Sequence, residues 1–420
     1  MNIARRQLHS VTHYIPSKTY AGYTLFAPMY GKDIWLIDMK GRFVHRWEMP
    51  YSPGCYGELL PNGNLLFAGK VVPGPLLEFG GSGGILLEID WNGNMVWKYE
   101  EPYHSHCFFR MENGNTLISK WLAVPDEIAR KVKGGLPKTE LRGVMWTDAF
   151  QEISPSGEVV WEWLGYEHLD PEIDILCPLC PRDRWTNANA LCVLPEGNIL
   201  VSFRLTNTIG IIDKTTGDFK WRWGQGVIAH QHNPTLLDNR NILLFDNGAH
   251  RNVTSHNFSR VVEVNPSTGK IEWEYQENPP FDLYSFVCSG AQRLPNGNTL
   301  ICEATMGRIF EITPEKELVW EYVNPFYYDH HVYGRNNMVF KAYRYSLDYQ
   351  GLRGTGLDDI NVLHGREEFG RPLVMSGTLQ SAQGKPILKE IEKKPSVGKR
   401  NQKDEEQWKK VESRLKFLGY

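Results

Sequence analysis

Three features of this 420-residue sequence predict an all-β chain, a six-bladed β-propeller closed by a C-terminal strand. The first is a phrase that recurs six times: a short apolar run, a turn, then two aromatic-rich positions two residues apart. The copies read IDMKGRFVHRW, IDWNGNMVWKY, ISPSGEVVWEW, IDKTTGDFKWRW, VNPSTGKIEWEY and ITPEKELVWEY, ending on Trp47, Tyr99, Trp163, Trp223, Tyr275 and Tyr322. Two residues earlier stand His45, Trp97, Trp161, Trp221, Trp273 and Trp320. Successive copies lie 47 to 64 residues apart, close to the spacing of one four-stranded blade per repeat. The second feature is a turn phrase in five of the blades: LPNGNLL (60–66), MENGNTL (111–117), LPEGNIL (194–200), LDNRNIL (237–243) and LPNGNTL (294–300). Asn-Gly between apolar runs marks a hairpin, because a type I′ turn needs positive φ at both central positions. The third is NNMVFKAYRYS (336–346), strand-like in composition, which follows the last copy of the aromatic phrase.

Each blade then reads as strand A, the turn phrase, strand B, a variable loop, strand C, a turn, and strand D ending in the aromatic pair. Blade one has strands near 23–28, 33–38 and 42–48 only. Residues 336–346 supply its missing strand, so both ends of the chain share one blade and no sheet edge stays open. The expected propeller spans 20–346, followed by a C-terminal extension over 347–420. Two insertions interrupt the pattern. Residues 121–143 fall between strands B and C of blade three and contain a short helical stretch, Asp126–Lys133. Residues 164–186, between blades three and four, include CPLCPRDRW. Insertions of this size usually cover one face, often the binding face. In the extension, GLRGTGLDD and the lysine-rich 385–403 read as a flexible tail. Residues 404–418 (DEEQWKKVESRLKFL) read as an amphipathic helix with Trp408, Val411, Leu415 and Leu418 on one face, able to dock on the propeller or on a second copy of the chain.

Composition narrows the function classes. The chain is 41% hydrophobic and 23% charged with a net charge of −3, which suits a soluble globular protein and gives no nucleic-acid footprint. The N-terminal MNIARRQLHS has no apolar segment, and no run of 18 apolar residues occurs, so neither a signal peptide nor a membrane span is expected. Seven cysteines, an odd number placed mostly in predicted strands, read as buried reduced thiols of a cytoplasmic protein.

Strand A is the innermost strand of a blade, and its first residues face the central channel. Counting back from each turn phrase gives equivalent pairs: Pro53 and Cys55, His104 and His106, Asn187 and Asn189, His230 and His232, Val287 and Ser289. If strand alternation holds, both members of a pair share a face. Three adjacent blades then aim four imidazoles and two carboxamides at one place. A single histidine near a strand end is ordinarily a satisfied core residue; four at equivalent positions, with asparagines between them, point to a polar functional site. FDNGAHR adds Asp246, Asn247, His250 and Arg251, and an arginine fork near the axis suits an anion. The plainer reading of that segment is a turn with a solvated arginine. Thr305, His330 and His331 are further axial candidates. GGSGG (80–84) lacks the strand-to-helix context of a phosphate loop and reads as a mobile turn. Cys177-x-x-Cys180 has no second CxxC and no partner histidine at zinc-finger spacing; the loop has the residues for a metal or a disulfide, and neither is assigned to it.

Over roughly residues 20–346 the chain resembles the bacterial arylsulfate sulfotransferases. The resemblance rests on WTNANALCVLPEGNILVSFRLTNTIGIID followed by WRWG, on QHNPTLL, on LLFDNGAHR, and on LYSFVCSGAQRLPNGNTLICEATMGRIFEI. It implies a six-bladed propeller that moves a sulfuryl group between phenols without a cofactor, through a transiently sulfurylated histidine. His232 in QHN resembles the family's histidine of blade five, and Arg251 its sulfuryl-binding arginine; Asn187 stands where the family usually has a histidine. The nucleophilic histidine, expected near Phe286 in LYSFVCS, is absent, and a phenylalanine has no basic nitrogen to carry a sulfuryl group. His106 or His104 is the candidate replacement. The expectation is therefore a transferase acting on a small aromatic or anionic substrate at the axis. His106, His232 and Arg251 would be catalytic, and His104, Asn187, Asn189, His230, Asn247, His250 and Thr305 would bind substrate. Two other readings remain open: a metal-dependent lyase or hydrolase with the same histidines as ligands, and a non-enzymatic binding or scaffold propeller. Pyrroloquinoline-quinone dehydrogenases fit less well, having eight blades and a differently spaced Trp motif.

Overall fold

A computed structural model describes residues 9–357 except 253–255 and 331. The amphipathic segment 404–418, the lysine-rich stretch 385–403 and His331 lie outside the described residues. Six antiparallel sheets form the blades, each running from an inner to an outer strand. Blade one is Val339–Ser346, Gly22–Pro28, Asp33–Ile37 and Phe43–Glu48, so the C-terminal strand closes the ring on its inner side. Blade two is Ser52–Leu59, Leu65–Lys70, Gly84–Ile89 and Met95–Glu100; blade three is His104–Arg110, Thr116–Ala123, Trp146–Ile153 and Val159–Leu164. Blade four is Ala188–Val193, Ile199–Phe203, Thr208–Ile212 and Phe219–Trp223. Blade five is His232–Leu236, Ile242–Asp246, Arg260–Asn265 and Lys270–Tyr275. Blade six is Gly290–Arg293, Thr299–Glu303, Arg308–Ile312 and Leu318–Val323. A fifth strand that the sequence pattern did not announce, Ser10–Tyr14, pairs on the outside of blade six.

The recurring aromatic phrase has a physical role beyond filling the core. An outer-strand indole of every blade donates to a backbone carbonyl in the C–D turn of the next blade. Trp47 reaches Asp90, Trp97 reaches Pro155, Trp161 reaches Lys214, Trp223 reaches Gly269, Trp273 reaches Pro314, and Trp320 returns to Met39 of blade one, at 2.8–3.5 Å. Each bond contributes about 1 kcal/mol net, and the circle of six fixes neighbouring blades in register. The turn phrase adds a second tie on the inner strands' far ends. The amides of Asn64, Asn241 and Asn298 donate to Glu88, Glu263 and Glu311 on strand C of their own blades at 2.6–2.7 Å. Between blades lie apolar layers, the largest including Phe150, Trp163, Trp185 and Phe203.

The two insertions pack together. Gly134–Leu136 of the first pairs in parallel with Leu176–Pro181 of the second, and Trp146 and Arg184 form a further bridge. The first holds one short helix, Asp126–Ala129. Among the described residues no helix is long and apolar enough to cross a membrane.

Candidate active site on the propeller axis

The start of each inner strand departs from simple alternation. Register shifts occur there in blades two to five. Cys55, His106, Asn187, His230 and Ser289 all sit at positive φ, of 126°, 43°, 60°, 57° and 84°. A bulge inserts a residue and re-aims the side chains on either side of it, so the paired residues do not share one face as expected. His104 turns its Nε2 onto the carbonyl of Cys107 in its own strand, 3.3 Å away. Asn189 donates from Nδ2 to the Gln231 carbonyl of blade five at 2.7 Å. Both ring nitrogens of His106 and the Oδ1 atoms of Asn187 and Asn189 are buried with no hydrogen-bond partner. Buried polar atoms left unmatched in this way cost free energy unless a ligand engages them.

The glycine loop at 80–84 packs against the inner strand of blade three. Gly83 N–H donates to the His104 carbonyl at 2.9 Å, and Ser82 bridges Ser105. A Cβ at Gly81 would stand 2.4 Å from His106 Nδ1, and one at Gly83 2.5 Å from His104 Nδ1. These glycines let the loop press directly onto the two imidazoles.

His232 is the best-positioned imidazole. Its Nδ1 lies 2.7 Å from Asn247 Oδ1. Asn247 is fixed by its own amide, which donates to the Ser285 and Cys288 carbonyls at 2.7 and 2.8 Å. With Nδ2 committed to two acceptors, Asn247 presents an acceptor to His232, so His232 must donate from Nδ1. Its Nε2 therefore carries the lone pair. The LYSFVCS segment, which lacks the expected histidine, thus still acts on the site: its backbone carbonyls orient the group that orients His232.

Burial is the largest cause of the low histidine pKa values. It brings His104 to about 4 and His106 to about 3. His232 is held well below its ordinary value by burial, then by the charge of Arg204. Arg204 was not singled out by the sequence reasoning. It follows strand B of blade four and is buried, and its charge also acts on Cys288, Tyr284 and Tyr333. Arg184, from the second insertion, acts on His106, Asp148 and Tyr333. Positive charge from two elements thus acts on the axial imidazoles.

Aromatic side chains wall the same space. Phe340, early in the closing strand, meets His106 and His232 edge-on, with ring centroids at 5.3 and 6.0 Å. Tyr56 stacks between Phe108 and Phe340 at 4.5 and 5.7 Å. Beside it Lys341, paired in charge with half-buried Glu58, lies 3.6 Å from the Tyr56 ring centroid. Tyr333 stacks on His330 and touches Phe286.

The remaining candidates have other partners. Arg251 is ion-paired with Asp246 at 2.7 Å and lies over the Phe258 ring. Thr305 donates to the Tyr284 carbonyl at 3.3 Å. His230 and His250 come together, but with Cys177 and Cys180: the four ligand atoms lie within 4.8 Å of one another. The Cys177 thiol is held at about 2, first by Cys180 and then by the two imidazoles acting against burial. A surface cleft of about 460 Å³ lined by His45, Trp47 and Trp91 lies at the outer strands, away from this chemistry.

A family model described as arylsulfotransferase (ASST) matches residues 58–325, from the inner strand of blade two to just beyond the outer strand of blade six. The chain belongs to the arylsulfotransferase family. No curated protein matches it. Among solved structures it is similar to a protein of unknown function from Bacteroides caccae, at 15% identity over 77% of this chain and 98% of that one, with a TM-score of 0.49. It is also similar to virginiamycin B lyase from Staphylococcus aureus, at 11% identity over 72% of this chain and 84% of that one, with a TM-score of 0.40.

A second counting rule along the sequence recovers what the first missed. Six residues beyond the Asn that closes each turn phrase stand Lys70, Trp121, Arg204, Asn247 and Ala304. Arg204 is therefore the blade-four equivalent of Asn247, one step past the end of strand B. The signal was present in SFRLTN beside FDNGAHR. The Cys/His group had no such signal, because its members are brought together from residues 177 to 250 by the fold alone.

Proposed function

We propose that this member of the arylsulfotransferase family moves a sulfuryl group from a small aryl sulfate to a phenolic acceptor, with His232 as the nucleophile. The observation that carries the reading is the Asn247-fixed tautomer of a buried, neutral imidazole. A histidine with Nδ1–H held and Nε2 bare is the form that attacks. In the first step the Nε2 lone pair forms an N–S bond, the S–O bond to the aryl group breaks, and the phenolate takes a proton from water. In the second step the acceptor phenol oxygen attacks sulfur while His106 takes its proton, the N–S pair returns to Nε2, and His106 gives the proton back to the hydroxide left by the first step, restoring water and the neutral imidazole. General-base help of this kind is worth about 10²–10⁴-fold. Arg204, with Arg184, balances the sulfuryl oxygens in a low-dielectric space where such charge counts most. The entering anion raises the pKa of both imidazoles, which brings His106 toward a useful basicity. Phe340, edge-on to both imidazoles, adds aromatic surface for an aryl ring. Arg251, bound to Asp246, has a positioning role in this reading.

The test uses 4-nitrophenyl sulfate as donor and phenol as acceptor, following nitrophenol release and product phenyl sulfate. The His232→Ala and His106→Ala variants should retain the fold and lose turnover, the first completely. Unchanged turnover in both would overturn the assignment. Stabilisation of the wild type by sulfate without any transfer would favour a binding propeller instead.

A further inference from the structure

We propose that Cys177, Cys180, His230 and His250 form a closed tetrahedral zinc site that clamps the second insertion onto blade five. The donors come from three separate places. Cys177 and Cys180 lie on Leu176–Pro181 in the insertion, His230 lies two residues before the inner strand of blade five, and His250 follows that blade's strand Ile242–Asp246. Cys177 Sγ is 3.4 Å from His250 Nδ1, and Cys180 Sγ is 3.5 Å from His230 Nε2 and 3.6 Å from His250 Nδ1. Zinc–sulfur and zinc–nitrogen bonds of about 2.3 and 2.0–2.1 Å at a tetrahedral angle put S and N about 3.5–3.6 Å apart. The observed separations match that arithmetic before any ion is placed.

The donor chemistry selects the ion. Two thiolates and two imidazoles in tetrahedral array suit Zn²⁺ over the harder, oxygen-seeking cations. None of the seven cysteines forms a disulfide, so both sulfurs are available. Both cysteines and His230 are buried.

The backbone around the ligands is held independently of them. Cys177 N–H donates to the Leu205 carbonyl at 2.8 Å, which anchors the CxxC strand to blade four. His230 N–H donates to Asn207 Oδ1 at 2.9 Å. Gly248 N–H donates to the Ala229 carbonyl at 2.8 Å, and Ala229 N–H to Asp246 Oδ1 at 2.9 Å, so the segments carrying His230 and His250 are tied to each other. A preformed cage of this kind binds with little reorganisation.

Four protein donors fill a tetrahedron and leave no position for water or substrate, which is the arrangement of a structural site. The metal's task is therefore mechanical. It fixes an insertion that also carries Arg184, and it pins His230 two residues from His232. The clamp stands apart from the sulfuryl-transfer reading, and its test does not use turnover.

The full-length chain, purified without chelator, should contain about one zinc per polypeptide by elemental analysis. Exchange for cobalt(II) should give the intense visible bands of tetrahedral cobalt together with a thiolate charge-transfer band. Cys180→Ser and His250→Ala should each lose the metal, and a strong chelator should lower the unfolding temperature of the wild type. If a variant fails to fold, the wild-type cobalt spectrum and zinc content still decide. Folded protein with well under one zinc and no tetrahedral cobalt bands, a Cys177–Cys180 disulfide in the isolated protein, or full metal content in the Cys177→Ser/Cys180→Ser double variant would each overturn the proposal.

Discussion

Asn247→Leu removes the group that sets the His232 tautomer while nearly keeping its size. Asn247 is fully buried and makes three side-chain hydrogen bonds, at 2.7, 2.7 and 2.8 Å. Each is worth about 1 kcal/mol net, and a buried acceptor left unmatched costs about 1–3 kcal/mol. Ser285 O keeps a second donor, Ser259 Oγ at 3.4 Å, so mainly the Cys288 carbonyl and the His232 Nδ1–H are stranded. The sum is a loss of about 3–4 kcal/mol of stability, readable in the urea midpoint. The effect on turnover is separate. A freed imidazole samples the wrong tautomer and orientation, as when the orienting group of a catalytic triad is lost, and kcat should fall about 10²–10⁴-fold with a smaller change in KM. Selective ¹⁵N labelling of histidine gives the readout that a merely structural role would not move. Wild-type His232 should show a protonated Nδ1 and a bare Nε2, and the variant a mixture. A wild-type Nε2–H tautomer, or an Asn247→Leu variant with unchanged kcat, would refute the reasoning.

Other consequences follow from the same geometry. Arg204→Met should weaken sulfate binding about 10–100-fold, as expected for one or two charge-assisted hydrogen bonds, and abolish sulfate-induced thermal stabilisation; equal stabilisation of variant and wild type would remove Arg204 from the site. His104 and His106 titrate at about 4 and 3 in the folded chain against 6.5 in the unfolded one. Between those values the unfolded state binds protons that the folded state refuses, so their contribution is intact above pH 6.5 and is lost as pH falls toward 4 and then 3. At pH 5 each costs about 2 kcal/mol. The His104→Gln/His106→Gln double variant should therefore lose about 4 kcal/mol less than wild type between pH 7 and pH 5. Identical urea-midpoint shifts for the two proteins would contradict this.

Much of the scaffold was legible because its signals are local. The aromatic phrase and the turn phrase are short-range chemistry repeated six and five times, three of the turns carrying Asn-Gly, and the closing strand expected within 336–346 completed the only blade that lacked a turn phrase. Ser10–Tyr14 escaped because an added edge strand has no turn partner beside it in sequence. The axial site was legible as a neighbourhood and not as an arrangement. His106 and His232 were named, yet the counting assumed unbroken alternation. Residues at positive φ such as His106 and His230 break it, and pattern reasoning expects glycine or asparagine there before histidine. Arg251 was picked as an anion receptor for its guanidinium fork; its ion pair with Asp246, which Arg260 shares, joins strand ends and left no local signal. Arg204 was hidden in an apolar run, visible only once blades four and five are superimposed. The Cys/His group depends on contacts between residues more than seventy positions apart, such as Cys177 and His250, which no spacing rule encodes.

The most direct test of the account is to trap the intermediate. Wild-type protein incubated with 4-nitrophenyl sulfate and no acceptor, quenched at alkaline pH and mapped by peptide mass spectrometry, should carry one sulfuryl group on His232, discharged when phenol is added. A sulfuryl group found on His106 instead, or sustained transfer with no adduct at any time point, would contradict the assignment of His232 as the nucleophile.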